Sequence, residues 1–355
     1  MLEMEQLLRL IVEKKASDLH LTVGIPPQLR IGGQLVYTEF DPLTPEVVQQ
    51  LAYSLLTSEQ IKRFEEEKEL DFSCGIPNLS RFRINLFFQR GSIAMASRVI
   101  PFKIPTIEDL TLPSIVREYG DKPNGLVIIA GATGSGKSTT QAAMVDYINK
   151  TRRAHIIAIE DPIEYLHKHN LCTVNQRQLE SDTLSFRDAL KHVFRQDPDV
   201  VVIGEMRDLE TIQAALTLAE TGHLIFATLH TGSAVNSISR IVDVFPAHQQ
   251  HQIRIQLSLV LTGVLVQKLI PNAKDDGRSL AMEVMTVIPG IQNLIRENQV
   301  HQIYSLLQTG RKYGMCTMNQ SLCELVSSGK ITYEESLKHT LDEQELTALL
   351  RRAKM

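Results

Sequence analysis

One stretch of this chain has the residue types and order needed to hold a phosphate. Residues 131–139 read GATGSGKST, a full match to GxxxxGK[ST]. The glycines allow backbone to wrap an anion without Cβ clashes. The amide groups opening the helix that follows point at the anion, and the helix dipole adds to their field. Gly131, Ala132, Thr133, Gly134, Ser135, Gly136, Lys137, Ser138 and Thr139 thus form a candidate nucleotide-binding loop. Lys137 suits the β- and γ-phosphates, and the Ser138 hydroxyl suits a magnesium ion. A dinucleotide fingerprint would need a third glycine where Thr139 stands.

Hydrolysis of a bound nucleotide asks for two carboxylate services. One group holds the metal shell and another orients or deprotonates water. Ligands in a parallel sheet gather beyond the carboxyl ends of its strands. The segment AIEDPIEYLHK brings Glu160, Asp161 and Glu164 to such an edge. RQDPDVVVIGEMRD, residues 195–208, brings Glu205, with Gly204 where an aspartate is the usual metal-holding residue. Glu205 extends a buried strand directly, which suits the metal side, through water or directly. Glu164 lies beyond Pro162 on a turn, which suits the water side.

Histidines and arginines add candidates. His223 and His230 bracket the strand HLIFATLH. Seven residues of separation puts them on opposite faces, so they form no compact metal site. His230, at the strand's carboxyl end, is placed to sense the γ-phosphate; His223 reads as structural. Arg81 and Arg83 share a face of one strand, and Arg98 closes the next. Guanidinium groups there suit a transferred phosphate. Arg195, Arg207 and Arg240 are further candidates.

These residues need a scaffold. GLVIIAGA, AHIIAIED, DVVVIGE and HLIFATLH are continuously apolar strands separated by helical segments, the mark of strands buried on both faces. They predict an α/β domain over residues 119–288 with a mainly parallel sheet. Residues 1–100 predict an α+β domain. It has a hairpin at Gly32-Gly33, helices opened by Thr44-Pro45 and Ser58, and a three-strand meander ending near residue 100. Residues 101–118, rich in proline, read as a linker, and residues 289–355 as C-terminal helices. The most apolar helical stretch expected is LSLVLTGVLV, residues 257–266. It is about half of the ~20 residues that span a bilayer. The opening MLEMEQLLRLIVEKK is amphipathic and charged, unlike a signal peptide. With 355 residues, a net charge of −4 and four cysteines outside any CxxC pair, the chain reads as a cytoplasmic or membrane-peripheral globular protein. The cysteines read as reduced, and nucleic-acid coating is disfavoured.

ASDLHL, GATGSGKSTT, IEDPIEY, RQDPDVVVIGEMRD and AETGHLIFATLHT occur in the order found in the secretion and pilus ATPase superfamily. The chain resembles its type IV pilus retraction branch along nearly its whole length. The resemblance implies a homohexameric, ATP- and Mg²⁺-dependent motor of pilus retraction. Each subunit would carry a PAS-like first domain and a RecA-like ATPase domain. It implies a position at the inner membrane, working on a pilus platform protein, with no nucleic-acid partner. It also implies that Gly204-Glu205 is the family form, that Glu164 is the catalytic glutamate, and that Arg83 and Arg98 reach the γ-phosphate. GIQNLIRE, residues 290–297, is similar to a helix the family needs for retraction, with Arg296 and Glu297 exposed. Two other functions fit a RecA-like core. One is a nucleic-acid translocase or recombinase, marked by DNA-stimulated, salt-sensitive turnover. The other is a retraction paralogue with a regulatory role and little turnover.

Overall fold

A computed structural model describes residues 2–76, 79–100, 103–274 and 277–353. The chain divides into two compact units, Met1–Lys103 with Glu164–Leu166, and Ile104–Ile163 with His167–Met355.

The first unit runs α1 (Met4–Glu13), β1 (Asp18–Leu21), β2 (Gln28–Ile31), β3 (Gln34–Tyr37), α2 (Pro45–Tyr53), α3 (Ser58–Glu67), β4 (Glu69–Ile76), β5 (Ser80–Gln89) and β6 (Ser92–Ile100). Its sheet is antiparallel in the order β3-β2-β1-β6-β5-β4. Gly32 and Gly33 both take positive φ, the conformation a two-residue hairpin needs between β2 and β3. Thr44 caps α2 as expected. At α3 the cap is Thr57 rather than Ser58; it shares a capping box with Gln60. β5 alternates: Phe82, Ile84 and Leu86 join the core with α1, α2 and α3, while Arg83 faces out.

The second unit opens with α4 (Ile115–Gly120), β7 (Gly125–Ala130), α5 (Lys137–Thr151), β8 (His155–Glu160), β9 (Thr173–Gln178), α6 (Phe186–Val193) and β10 (Val200–Ile203). It continues with α7 (Leu209–Glu220), β11 (Leu224–Leu229), α8 (Ala234–Asp243), α9 (Ala247–Val260), β12 (Leu261–Pro271) and β13 (Arg278–Thr286). The chain closes with α10 (Pro289–Arg296), α11 (Ile303–Thr309), α12 (Met318–Ser327), α13 (Tyr333–Leu337) and α14 (Glu343–Ala353). The sheet order is β13-β12-β7-β11-β10-β8-β9, parallel except for β12 against β13. β7 shows why the apolar runs are continuous. Leu126 and Ile128 enter the core shared with α6 to α9, while Val127 and Ile129 enter the opposite core under α4 and α5. Leu294, Ile303, Leu322 and Leu346 of the C-terminal helices belong to the first of these cores.

Three expectations need correction. Pro101 and Phe102 lie outside the described residues, but the rest of the expected linker is not a free connector. Ile107, Leu112 and Ile115 are buried in the second unit, because proline blocks regular structure without preventing burial of its apolar neighbours. LSLVLTGVLV is not one helix. It is helical to Val260 and strand from Leu261, where it pairs with β7. Within the strand, a Cβ on Gly263 would run into the Tyr119 ring, so β12 and α4 pack this closely only with glycine there. Third, Arg296 on α10 is half-buried, whereas Glu297 is exposed. Among the described residues, no helix is long and apolar enough to cross a membrane.

Gly263→Ala should therefore destabilise the second unit by about 1–3 kcal/mol, the usual cost of forcing extra volume into a packed core. Calorimetry should show a Tm several degrees lower.

Candidate active site

β7 ends at Ala130, and the loop of residues 131–136 leads straight into α5. Gly131 has φ +144°, and a Cβ there would lie 2.5 Å from Ser135 Oγ and 2.6 Å from the Gln267 carbonyl. Only glycine fits that corner. Ala132, Thr133 and Gly134 are exposed, Ser138 and Thr139 are half-buried, and Ser135 and Lys137 are buried. No side chain caps the N-terminus of α5, so its first-turn amides are available to an anion. Lys137 Nζ donates to the carbonyls of Gly131 at 2.9 Å and Ala132 at 3.0 Å. The lysine that would grip phosphate is thus folded against its own loop.

Glu205 is fixed by pairing that outruns the strand. Gly204 N donates to Ile159 O at 2.8 Å, and Met206 N to Thr228 O at 3.1 Å. The Thr228 hydroxyl donates to Gly204 O. The residue between them is held from both β8 and β11. Gly204 has a spacing role here: a Cβ would sit 3.2 Å from both Glu160 Cα and Ile159 O, tighter than backbone readily accepts. The glycine lets the end of β10 lie against the end of β8.

The Glu205 carboxylate accepts from Arg207 Nη2 at 2.8 Å and lies 3.4 Å from His230 Nε2. Burial works to raise its pKa. The Arg207 hydrogen bond and the charges of His230, Arg207 and Lys137 outweigh burial and hold the group below its ordinary value. Lys137, Glu205, Arg207 and His230 therefore share one electrostatic neighbourhood. They come from the neighbouring parallel strands β7, β10 and β11, whose carboxyl ends align. Asp161 adds to the field that raises the Arg207 pKa. Glu160 instead accepts from Gln176 at 2.9 Å. His223 Nδ1 donates to the Leu218 carbonyl, 2.9 Å away, in keeping with a structural role. Arg195 and Arg240 are exposed.

The other expected residues lie in the first unit. Glu164 is exposed, in the Glu164–Leu166 segment, after a cis Asp161–Pro162 bond. Arg83 and Arg98 are direct cross-strand partners of β5 and β6. Like charges at such a pair repel, and Asp18 relieves one of them. It accepts from Arg98 Nε at 2.7 Å, and Arg30 Nε stands 3.8 Å away. Burial opposes ionisation of Asp18, but hydrogen bonds from Ser17 and Arg98 and the Arg98 charge bring its pKa below the ordinary value. Sequence reading missed Asp18 and Arg30 as parts of this row. The available signal, ASDLHL on a short alternating strand, puts Asp18 and His20 on its polar face, but the register with β6 that brings Arg98 opposite is not local.

The Type II/IV secretion system protein family matches residues 111–347. The chain belongs to that family. Across 335 residues it is 46% identical to the type IV pilus retractation ATPase PilT of Pseudomonas aeruginosa, covering 94% of this chain and 97% of that protein. It is 41% identical over 350 residues to the type IV pilus ATPase PilU of the same organism, covering 99% and 92%. A crystal structure of the pilus retraction motor PilT with bound ADP superposes with a TM-score of 0.92 at 48% identity, over 98% of this chain and 100% of that one. The second unit is therefore a nucleotide-binding ATPase core of the secretion family. Gly204-Glu205 closes its β10 strand without loss of the acidic group.

The Arg207 contact can be tested by pH. A carboxylate with a lowered pKa contributes stability above the ordinary carboxyl value and loses it as pH falls through the lowered one. Arg207→Gln should raise the Glu205 pKa. A ¹³C NMR titration of the nucleotide-free protein should show the Glu205 midpoint at higher pH than in the parent.

Proposed function

We propose that this chain is the ATP-hydrolysing motor of type IV pilus retraction, working as a homohexameric ring at the cytoplasmic face of the inner membrane. The observation that carries the reading is its full-length match to a pilus retraction ATPase, joined to a complete phosphate loop with Glu205 and His230 at the same sheet edge.

The loop amides and Lys137 bind the β- and γ-phosphates of ATP. To do so, Lys137 leaves the Gly131 and Ala132 carbonyls and exchanges two neutral acceptors for charged phosphate oxygens, which form stronger bonds. Magnesium fits this edge. Ser138 and an ionised Glu205 are hard oxygen donors. Among the described residues no three His, Cys, Asp or Glu side chains form a protein cage, which accords with an ion held largely by the nucleotide. When bound, the ion supplies charge neutralisation to the phosphates. Glu205 is the metal-side carboxylate, and Glu164 orients the attacking water. Arg83 and Arg98 stabilise charge on the transferred phosphoryl group, one of them already oriented by Asp18. His230, in contact with Glu205, reports γ-phosphate occupancy to that carboxylate. ATP-driven domain closure, repeated around the ring, acts on an inner-membrane platform protein and returns pilin to the membrane.

Deletion of the gene tests this reading. Retraction predicts more surface pili and no twitching, and a Lys137→Ala copy should fail to restore twitching. Loss of pili on deletion would indicate assembly instead, and unchanged pili and motility would indicate a dispensable paralogue.

A further inference from the structure

The phosphate loop is backed by a strand outside its own motif. β12 pairs in parallel with β7 as far as Val266 opposite Ala130, and then runs on beside the loop. Its next residues touch the loop at three places. The Gln267 carbonyl fills the space that a Gly131 Cβ would need. The Gln267 carboxamide donates from Nε2 to Thr140 Oγ1 at 2.7 Å, one turn into α5. Leu269 lies under Gly136, 3.8 Å from the position of a Cβ there. Gln267 and Thr140 are only 1% and 2% exposed, so this bond is shielded from water. On the far side, Lys268 Nζ donates to the His339 carbonyl at 2.7 Å, which fixes β12 to the C-terminal helices.

Two buried polar atoms, one in the loop and one on β12, stand out in this setting. Ser135 Oγ and Gln267 Oε1 are both buried without a hydrogen-bond partner. One is a potential donor and the other an acceptor. A buried polar group without a partner is unfavourable, so a conformation that joins them satisfies both atoms with one hydrogen bond. Lys137 must also leave the Gly131 and Ala132 carbonyls for a phosphate, and that shift reshapes the same corner.

We propose that Gln267 is a positioning residue for nucleotide binding. Its Nε2 sets the start of α5 through Thr140. Its Oε1 receives the Ser135 hydroxyl when the loop closes on a diphosphate. This rests on the ATPase reading and extends it to a residue that touches no nucleotide. The contact acts on the loop that holds the β-phosphate, so ADP and ATP affinity should change together, and the chemical step should change little.

The test is equilibrium binding of fluorescent ADP and ATP to the full-length protein, together with steady-state kinetics. Gln267→Met keeps the volume and removes both hydrogen-bonding functions. It should weaken ADP and ATP about tenfold each, raise KM by the same factor and leave kcat within about twofold. Thr140→Val, which removes only the acceptor, should move binding in the same direction and serves if Gln267→Met folds poorly. In a double-mutant cycle, Ser135→Ala should weaken ADP binding in the parent and have no further effect in Gln267→Met. ADP affinity within twofold of the parent in folded Gln267→Met and Thr140→Val would overturn the proposal. Multiplicative effects in the cycle would overturn the Ser135 pairing. ADP binding by the parent reports separately on the ATPase reading, since that reading fails only if the parent itself does not bind.

Discussion

The site depends on one constraint: a carboxylate must remain ionised beside a phosphate-binding loop, in place, while partly buried. Burial alone would push Glu205 toward its neutral form. Arg207, His230 and Lys137 oppose that, and their net effect keeps the group below its ordinary pKa. The arrangement works only because the strand ends are level. Backbone bonds from Gly204 to Ile159 and from Met206 to Thr228 continue the pairing up to three residues past β10. The carboxylate is thereby held against the sheet edge by backbone bonds on both sides of it. Gly204 eases this, since a Cβ there would press on the Glu160 and Ile159 backbone of β8 at 3.2 Å.

The first unit solves the reverse problem. There the charge in excess is positive, with Arg83, Arg98 and Arg30 on one sheet face and Asp18 among them. Asp18 accepts from Arg98 and so orients one guanidinium of that row. Both units thus use a charge held by opposite charge. In the second it keeps an acid ionised; in the first it holds a guanidinium still.

Much of this was legible in the sequence because it is local. The loop motif, the continuously apolar strands β7, β8, β10 and β11, and the Gly-Glu at a strand end are each written in a few adjacent residues. What escaped is non-local. β9, TVNQRQ, is a polar edge strand without the apolar run that marks the others. Residues 257–266 are mostly apolar and suit helix or strand equally; pairing with β7 takes the segment from Leu261 onward into the sheet. Asp18 and Arg98 are 80 residues apart, and Gln267 and Thr140 are 127 apart. No spacing rule joins such pairs. They meet because β1 lies beside β6, and β12 beside β7.

The division of labour between the two glutamates is the claim on which the account turns. The magnesium dependence of ATP binding, measured for Glu205→Gln and Glu164→Gln with phosphate release alongside, tests it most directly. The account predicts that Glu205→Gln needs more magnesium for the same ATP affinity. It predicts that Glu164→Gln binds ATP with the parent's magnesium dependence and releases no phosphate. Near-normal phosphate release by Glu164→Gln, or a magnesium requirement altered in that variant and unchanged in Glu205→Gln, would contradict it.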